Sequence, residues 1–183
     1  MKSENLENFD ICYFMDLIKN KMPFYNERHF QCELGSAIKM YFKENKYEDI
    51  DVLYEMYYPT DEVSSVTINE EDETIKSITK TKRNYTDIVI SDTKTEEYIA
   101  IELKYGLSDS NTKDSKRFNY SLSNGDEISI AKKGALDNCR YDYLYDVYRL
   151  ESLKRLPNSP YQHKTLKHFI SGYAVLLSNA QLM

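Results

Sequence analysis

Apolar residues recur every three or four positions in three segments of the chain, a spacing that places them on one face of a helix. The pattern predicts helices over residues 3–20, 27–44 and 138–155. Ser3 precedes the first helix as a candidate N-cap, and Pro157 follows the third as a terminator. In the third helix we expect Tyr141, Tyr145 and Tyr148 to face the core, because aromatic stripes at helical spacing usually pack inward.

Between the second and third helices the apolar period changes to two, which is typical of strands. DVLYEMYYP and SSVTI predict two strands, and the acidic run 70–74 predicts a solvated turn. YTDIVIS and EYIAIELKY, separated by DTKTE, predict an antiparallel hairpin. Residues 106–134 show no sustained period and predict a mobile loop or lid. GYAVLLS, over 172–178, predicts a last strand that is covered on both faces.

These elements follow the order helix, helix, three or four strands, loop, helix, strand. This order predicts an α/β domain in which helices flank a central mixed β-sheet. A chain of 183 residues is expected to form one domain. It would consist of an N-terminal helix over 1–22 and a core over 27–178, with a flexible insert at about 106–134.

The composition excludes several classes of protein. With 41% hydrophobic and 30% charged residues, five Gly and four Pro, the chain is globular rather than collagen-like, coiled-coil or low-complexity. No stretch approaches the roughly 18 consecutive apolar residues of a membrane span. The first ten residues lack the apolar region of a signal peptide. We therefore expect a cytoplasmic protein.

Cysteines and histidines give little support for a metal site of their own. The three cysteines are far apart and form no C-x-x-C pair, which disfavours a disulfide framework or a cysteine zinc site. His163 and His168 are five residues apart, off the four-residue spacing of helical metal ligands. A metal site would therefore have to be built from carboxylates.

The net charge of −6 disfavours a nucleic-acid partner, because phosphates are bound by Lys and Arg. The charge is nevertheless uneven. Residues 1–103 carry 12 basic and 22 acidic side chains, whereas residues 104–183 carry 12 basic and 8 acidic ones. This asymmetry indicates either ordinary variation in surface charge or an acidic half that holds cations beside a basic half that meets an anionic partner.

The predicted hairpin carries the most informative charged residues. Period two places Glu102 and Lys104 on one face of its second strand. If the turn centres on Lys94 and Thr95, then Asp87 lies opposite Glu102, with Cβ atoms about 5 Å apart. Opposed like charges destabilise a sheet, and a bound cation would reverse that effect. Two carboxylates suit Mg²⁺ or Mn²⁺, although an exposed hairpin with an incidental salt bridge would show the same residues.

A third carboxylate lies upstream of the hairpin. Glu33 is at the edge of the apolar stripe of the second helix, from which its side chain could reach the sheet. Lys104 could orient a metal-bound water or stabilise charge on a phosphate. A helical carboxylate, then Asp, then Glu-x-Lys is therefore a complete set for metal-assisted phosphate chemistry.

These residues resemble the PD-(D/E)XK nuclease superfamily, which has the restriction-endonuclease-like fold. The resemblance is carried by Glu33 in FQCELGSAI, Asp87 in YTDIVIS, and Glu102 and Lys104 in IAIELKYG. Its element order covers roughly residues 27–178. RYDYLYDVYRLE followed by GYAVLLSN is also similar to the later half of bacterial restriction-type members. Thr86 stands where the family name has Pro, which is a tolerated variation.

The resemblance implies an αβββαβ core and metal-dependent hydrolysis of phosphodiester bonds, with DNA favoured over RNA as the substrate. It implies that Asp87, Glu102 and the backbone carbonyl of Leu103 bind Mg²⁺ or Mn²⁺. It also implies that Glu33 supports the metal and that Lys104 lies beside the attacking water. A homodimer would suit an enzyme that cuts both strands, although the sequence identifies no interface.

Candidate phosphate contacts follow the hairpin, in the insert and the third helix. They are Lys116, Arg117, Lys132, Lys133, Arg140 and Arg149. Each of them, taken singly, is more often a solvated surface charge. Asp142 and Asp146 either orient these arginines or merely pair with them.

Two other functions stay open at the level of sequence. The chain could keep the nuclease fold as a nucleic-acid-binding or assembly module without turnover. It could also be a metal-dependent hydrolase of small phosphoesters, which the acidic net charge favours. Salt dependence separates the last from a nuclease, because only a polyanion binder loses affinity steeply with salt.

Overall fold

A computed structural model gives the architecture of the chain. It describes residues 3–21, 24, 26–69, 74–106, 117–121, 127–131, 136–156 and 158–178. Within these ranges the helices are α1 (Glu4–Glu7), α2 (Ile11–Ile18), α3 (Glu27–Glu44) and α4 (Leu136–Arg155), with a 3₁₀ turn at Lys19–Lys21. The strands are β1 (Ile50–Asn69), β2 (Thr74–Asp92), β3 (Glu97–Gly106), β4 (Arg117–Ser121), β5 (Glu127–Ala131) and β6 (His168–Ser178).

The helix predicted over 3–20 is divided into α1 and α2. Ser3 caps α1 as expected, because its side chain accepts a hydrogen bond from the Leu6 N–H. Asp10 then caps α2, since its carboxylate accepts from the Cys12 N–H at 2.9 Å. Phe9, between the two helices, is buried in the core. The second cap explains the division of the predicted helix.

The second predicted helix is confirmed over its whole range as α3. Asn26 caps it by accepting a hydrogen bond from the His29 N–H at 2.8 Å. Its buried apolar side chains form the predicted stripe: Phe30, Leu34, Ile38 and Phe42. This stripe packs against one face of the sheet.

In the described residues, β1, β2, β3 and β6 form a four-stranded sheet in that order. The first three strands are antiparallel neighbours, whereas β6 runs parallel to β3. A parallel pair needs a long crossover, and α4 lies in this one. The structure therefore confirms the expected class, an α/β protein with a mixed sheet flanked by helices.

The predicted strands DVLYEMYYP and SSVTI are one strand, β1, which continues through Pro59. Proline has no N–H to donate, so strands that contain it occur at sheet edges, and β1 is the first strand in the sheet order. The register shifts between Val63 and Ser65, where the irregularity interrupts the apolar period. In the run 70–74, Thr74 begins β2 and the other four residues lie outside the described part.

The stretch 106–134, predicted as a mobile loop or lid, contains strands where the structure describes it, and its other residues after Gly106 lie outside the described part. Its described residues include a two-stranded hairpin, in which β4 pairs antiparallel with β5. Each strand has five residues. Such short strands contain too few positions for period two to be recognised in the sequence.

The central hairpin has the predicted register. Asp92 forms its turn by accepting hydrogen bonds from the N–H groups of Lys94 and Thr95, at 2.9 and 3.1 Å. The paired residues of β2 and β3 are Ile88 and Ile101, Val89 and Ala100, Ile90 and Ile99, Ser91 and Tyr98, and Asp92 and Glu97.

The two faces of this hairpin pack against different helices. Four isoleucines and Leu103 face the cluster that contains the α3 stripe. Tyr98 and Ala100, on the opposite face of β3, pack with Leu150 and Leu153 of α4. Period two therefore places Glu102 and Lys104 on the face that α4 covers.

The predicted orientation of α4 is wrong. Tyr141, Leu144 and Tyr148 are 73%, 61% and 64% exposed, and Tyr145 is also exposed. The helix instead faces the sheet with two leucines and with charged side chains that pair with β3. The apolar period alone could not show this, because part of the buried face is charged.

The last strand is also less covered than predicted. β6 lies at the edge of the described sheet, and Leu176 in it is exposed. A short apolar run has the same sequence pattern in an edge strand and in a central one. None of the described helices combines the length and the apolar character needed to cross a membrane.

Two leucines of α4 test its orientation. Leu150→Ala removes a buried side chain from the contact with the sheet and should lower the free energy of unfolding by about 2–4 kcal/mol. Leu144→Ala changes an exposed position and should alter the free energy of unfolding by no more than about 0.5 kcal/mol. Urea denaturation measures both. A larger loss for Leu144→Ala would show that the tyrosine face packs inward.

Candidate active site

Asp87 lies where β2 and β3 stop pairing. The last residue pair of the two strands is Ile88 and Ile101. Beyond it, the backbone N–H of Leu103 in β3 donates to the side chain of Asp87 instead, with 2.6 Å between N and Oδ2. Gln31 of α3 donates to the backbone carbonyl of Asp87, also at 2.6 Å. The carboxylate of Asp87 is therefore held against the strand that carries Glu102.

Glu102 is almost completely buried, with 2% of its side chain exposed. Its Oε1 lies 3.1 Å from Nη2 of Arg149. Burial raises the pKa of Glu102 to about 8, because desolvation outweighs the lowering effect of Arg149, and Asp87 adds to the rise. The two carboxylates thus act on each other electrostatically, as the predicted register requires.

Lys104 and Asp146 form the second ion pair of the site, with Nζ and Oδ2 3.1 Å apart. Burial lowers the pKa of Lys104, but the carboxylates of Asp146, Glu27 and Asp87 outweigh it and the net shift is upward. Burial also raises the pKa of Asp146 against the effect of its two cationic neighbours. Lys104 therefore stays charged and is fixed by α4.

Arg149 connects the two pairs. Its Nη1 lies 3.2 Å from Asp146 Oδ1, and its Nε donates to the Tyr58 hydroxyl at 2.9 Å. Nη2, besides its contact with Glu102, donates to the backbone carbonyl of Tyr85 at 2.7 Å. The guanidinium thus bridges α4, β1, β2 and β3.

Burial raises the pKa of Asp87 to about 6, although the hydrogen bond from Leu103 and the charge of Lys104 lower it. Nearby Glu27 and Glu55 add to the rise. Asp87 and Glu102 are therefore adjacent carboxylates that both resist ionisation. A nearby cation would stabilise the ionised form of each of them.

The donor atoms of this site fit a divalent cation. Glu102 Oε1 and Asp146 Oδ2 each have an ion-pair partner at 3.1 Å but no hydrogen bond of good geometry. Carboxylate oxygens are the ligands that Mg²⁺ and Mn²⁺ prefer. Over the described part of the chain, however, no three His, Cys, Asp or Glu residues are arranged as a ready metal cage. The fit is thus one of donor chemistry, offered by the buried oxygens of Glu102 and Asp146, with Asp87 close enough to act on Glu102.

The structure brings together Asp87, Glu102 and Lys104, the three residues predicted to carry the reaction, with Leu103 and Arg149 beside them. Glu33 lies on α3, where its Oε1 is 3.6 Å from Nε2 of His29. Its role in supporting a metal stays a prediction, as does that of the Leu103 carbonyl.

The α3 carboxylate that acts on Asp87 and Lys104 is Glu27, which accepts a hydrogen bond from the Tyr105 N–H at 3.1 Å. The sequence contained a signal for it. Glu27 precedes Phe30 and Leu34 by three and seven residues, on the buried stripe itself.

Among the predicted phosphate contacts, the structure describes the side-chain surroundings of Arg149. Arg149 is inside the charge network, 13% exposed, rather than on the surface. Arg117 lies in β4 and Arg140 in α4. The other three predicted contacts, Lys116, Lys132 and Lys133, lie outside the described residues.

Sequence reasoning left open whether Asp146 orients an arginine or only pairs with one. The structure shows that Asp146 pairs with both Lys104 and Arg149. The hydroxyl of Tyr58, which accepts from Arg149, had no signal in the sequence.

Comparison with known proteins gives no match: no family model, no curated protein and no solved structure matches the chain. The resemblance to the PD-(D/E)XK superfamily therefore rests on residue types, their spacing and the order of the elements.

The raised pKa of Glu102 makes stability depend on pH. The folded state holds this proton between the ordinary pKa of 4.5 and about 8, whereas the unfolded state releases it. The free energy of unfolding of the metal-free protein should therefore fall as the pH rises through this window. Glu102→Gln should reduce the slope between pH 6 and 8 by up to about 1.4 kcal/mol per pH unit.

Urea denaturation in EDTA at several pH values measures this slope. Glu151→Gln, which changes an exposed carboxylate of the same helix that carries Arg149, is the matched control and should leave the slope unchanged. An equal slope in wild type and Glu102→Gln would contradict the assignment, because Glu102 would then be ionised throughout.

Proposed function

We propose that the chain is a metal-dependent nuclease of the PD-(D/E)XK type, with DNA as its favoured substrate. The observation that carries the proposal is the meeting of two carboxylates, the half-buried Asp87 and the buried Glu102, where two strands separate, with Lys104 next on the same face. A sheet optimised for stability alone would avoid this arrangement, because opposed like charges destabilise it.

The order of the elements is a second line of support. From α3 onward, and apart from the hairpin of β4 and β5, the chain runs helix, three antiparallel strands, helix, strand. The last strand is parallel to β3 and next to it. This order, taken over the described residues, supports the αβββαβ core that the resemblance implies, in which Asp87 would belong to the second strand and Glu102 and Lys104 to the third.

Asp87 and Glu102 would hold the divalent ion, with Glu27 or Glu33 in support. A bound ion would acidify a water molecule and stabilise charge on the phosphate. Leu103 fixes one oxygen of Asp87 through its N–H and leaves the other for a ligand. Asp146 holds the Lys104 ammonium in place, so that its remaining N–H groups can donate to a phosphate oxygen or to the attacking water.

A second candidate function is a nuclease-fold module that binds or assembles without turnover. One observation favours it. Arg149 already compensates Glu102 at 3.1 Å, so the network of Glu102, Arg149, Asp146 and Lys104 is paired without a metal. Cleavage assays distinguish this candidate from the nuclease.

The test is cleavage of supercoiled plasmid and of single-stranded DNA with Mg²⁺ or Mn²⁺, beside an EDTA control. Lys104→Gln should lower the metal-dependent rate at least about 10²-fold, because a charge that stabilises the transition state is lost. Lys154→Gln, an exposed lysine of α4, should cut at the wild-type rate.

The other outcomes separate the alternatives. Salt-sensitive DNA binding without cleavage would overturn the nuclease and favour the module. Hydrolysis of bis-p-nitrophenyl phosphate but not of DNA would favour a small-phosphoester hydrolase. Equal cutting by wild type and Lys104→Gln would place the activity outside this site.

A further inference from the structure

Arg149 is the cationic side chain that contacts Glu102 directly. Its Nη2 lies 3.1 Å from Oε1, and the pair is 13% and 2% exposed. Once it is ionised, a carboxylate this deeply buried needs a positive partner, because leaving it unpaired is strongly destabilising. In the structure that partner is Arg149.

A divalent ion and the guanidinium would compete for Glu102. Two positive groups on one buried carboxylate repel each other, and the repulsion is strong where solvent is excluded. The two side chains are not equally constrained. Glu102 is enclosed by β3 and α4, whereas Arg149 has other acceptors in Asp146 and in the Tyr85 carbonyl. Arg149 is therefore the group that can move.

We propose that Arg149 is a positioning residue that exchanges with the divalent cation: its guanidinium holds Glu102 in the metal-free protein and leaves this carboxylate when the cation binds. The inference rests on the proposed function and deepens it. With this exchange, Glu102 has a positive partner both with and without the cation. The protein therefore never contains a buried, unpaired charge at the metal site.

The charges of the site give the exchange a consequence for the substrate. The cluster holds three carboxylates, Asp87, Glu102 and Asp146, beside two cations, Lys104 and Arg149, and Glu27 also acts on it. A divalent ion would add two positive charges to this cluster, which favours an anionic ligand. A phosphodiester group carries a single negative charge, and the released Nη2 donors of Arg149 suit its oxygens.

Tyr58 offers a way to test the exchange without changing a charge. Its hydroxyl accepts from Nε at 2.9 Å and so fixes the direction in which the guanidinium points. Tyr58→Phe removes this hydrogen bond and leaves the carboxylates in place. It should weaken the metal-free arrangement and tighten Mn²⁺ binding about fivefold, which corresponds to one hydrogen bond.

Tyr85→Phe is the matched control, because Arg149 contacts the backbone of Tyr85 and not its hydroxyl. Electron paramagnetic resonance of free Mn²⁺ measures the affinity of the full chain and of both variants. The Tyr85→Phe variant should bind Mn²⁺ as the wild type does. Equal affinities for all three proteins would overturn the exchange.

Nuclear magnetic resonance of arginine side chains gives a second readout that does not depend on activity. The Nε–H signal of Arg149, assigned by its loss in Arg149→Lys, should shift over the Mg²⁺ range in which the Glu102 carboxylate signal shifts. Exposed Arg155 in the last turn of α4 should not respond, with KCl used to hold the ionic strength constant.

The outcomes separate this inference from the proposed function. If the Glu102 signal shifts and the Arg149 signal does not, the metal and the guanidinium share Glu102; the metal site then stands and the exchange is wrong. If no protein binds Mn²⁺ at millimolar concentrations and neither signal moves, the metal site is wrong and the exchange is wrong with it.

Discussion

The burial of Glu102 beside Asp87, compensated by Arg149 from α4, is the interaction on which the site and its covering helix both depend. A carboxylate that is 2% exposed needs a positive charge nearby, and the arginine comes from the helix between β3 and β6. The same pairing sets the rotation of α4, because Arg149 and Asp146 must face the sheet to reach β3. Packing and electrostatics therefore fix one orientation together.

That orientation explains the exposed aromatic face of α4. Leu150 and Leu153 supply the apolar contact with Tyr98 and Ala100, and the charged pair completes the buried side. Tyr141 and Tyr148 are left exposed on the opposite side. In this part of α4, charged side chains face the sheet and aromatic side chains face the solvent, which is the reverse of the usual amphipathic pattern.

Prediction from the sequence was most accurate for elements in which the apolar residues follow a single helical or strand period. The limits of α3 and the register of β2 with β3 follow from apolar spacing and from turn residues, so Asp87, Glu102 and Lys104 could be grouped from the sequence alone. The orientation of α4 could not be predicted, because its buried positions are partly charged. The contact of Arg149 with Tyr58 joins residues 91 positions apart, and no local pattern encodes it.

Anomalous diffraction from crystals grown with Mn²⁺ would show whether Asp87 and Glu102 share a divalent cation. We expect one strong peak bonded to a carboxylate oxygen of each residue, at roughly 2.0–2.2 Å, the distance typical of small hard cations. In the same crystals the contact between Glu102 Oε1 and Arg149 Nη2 should be lost, with the two atoms farther apart than about 4 Å. No peak at these carboxylates in crystals saturated with Mn²⁺ would contradict the account and leave Glu102 and Arg149 as a structural ion pair.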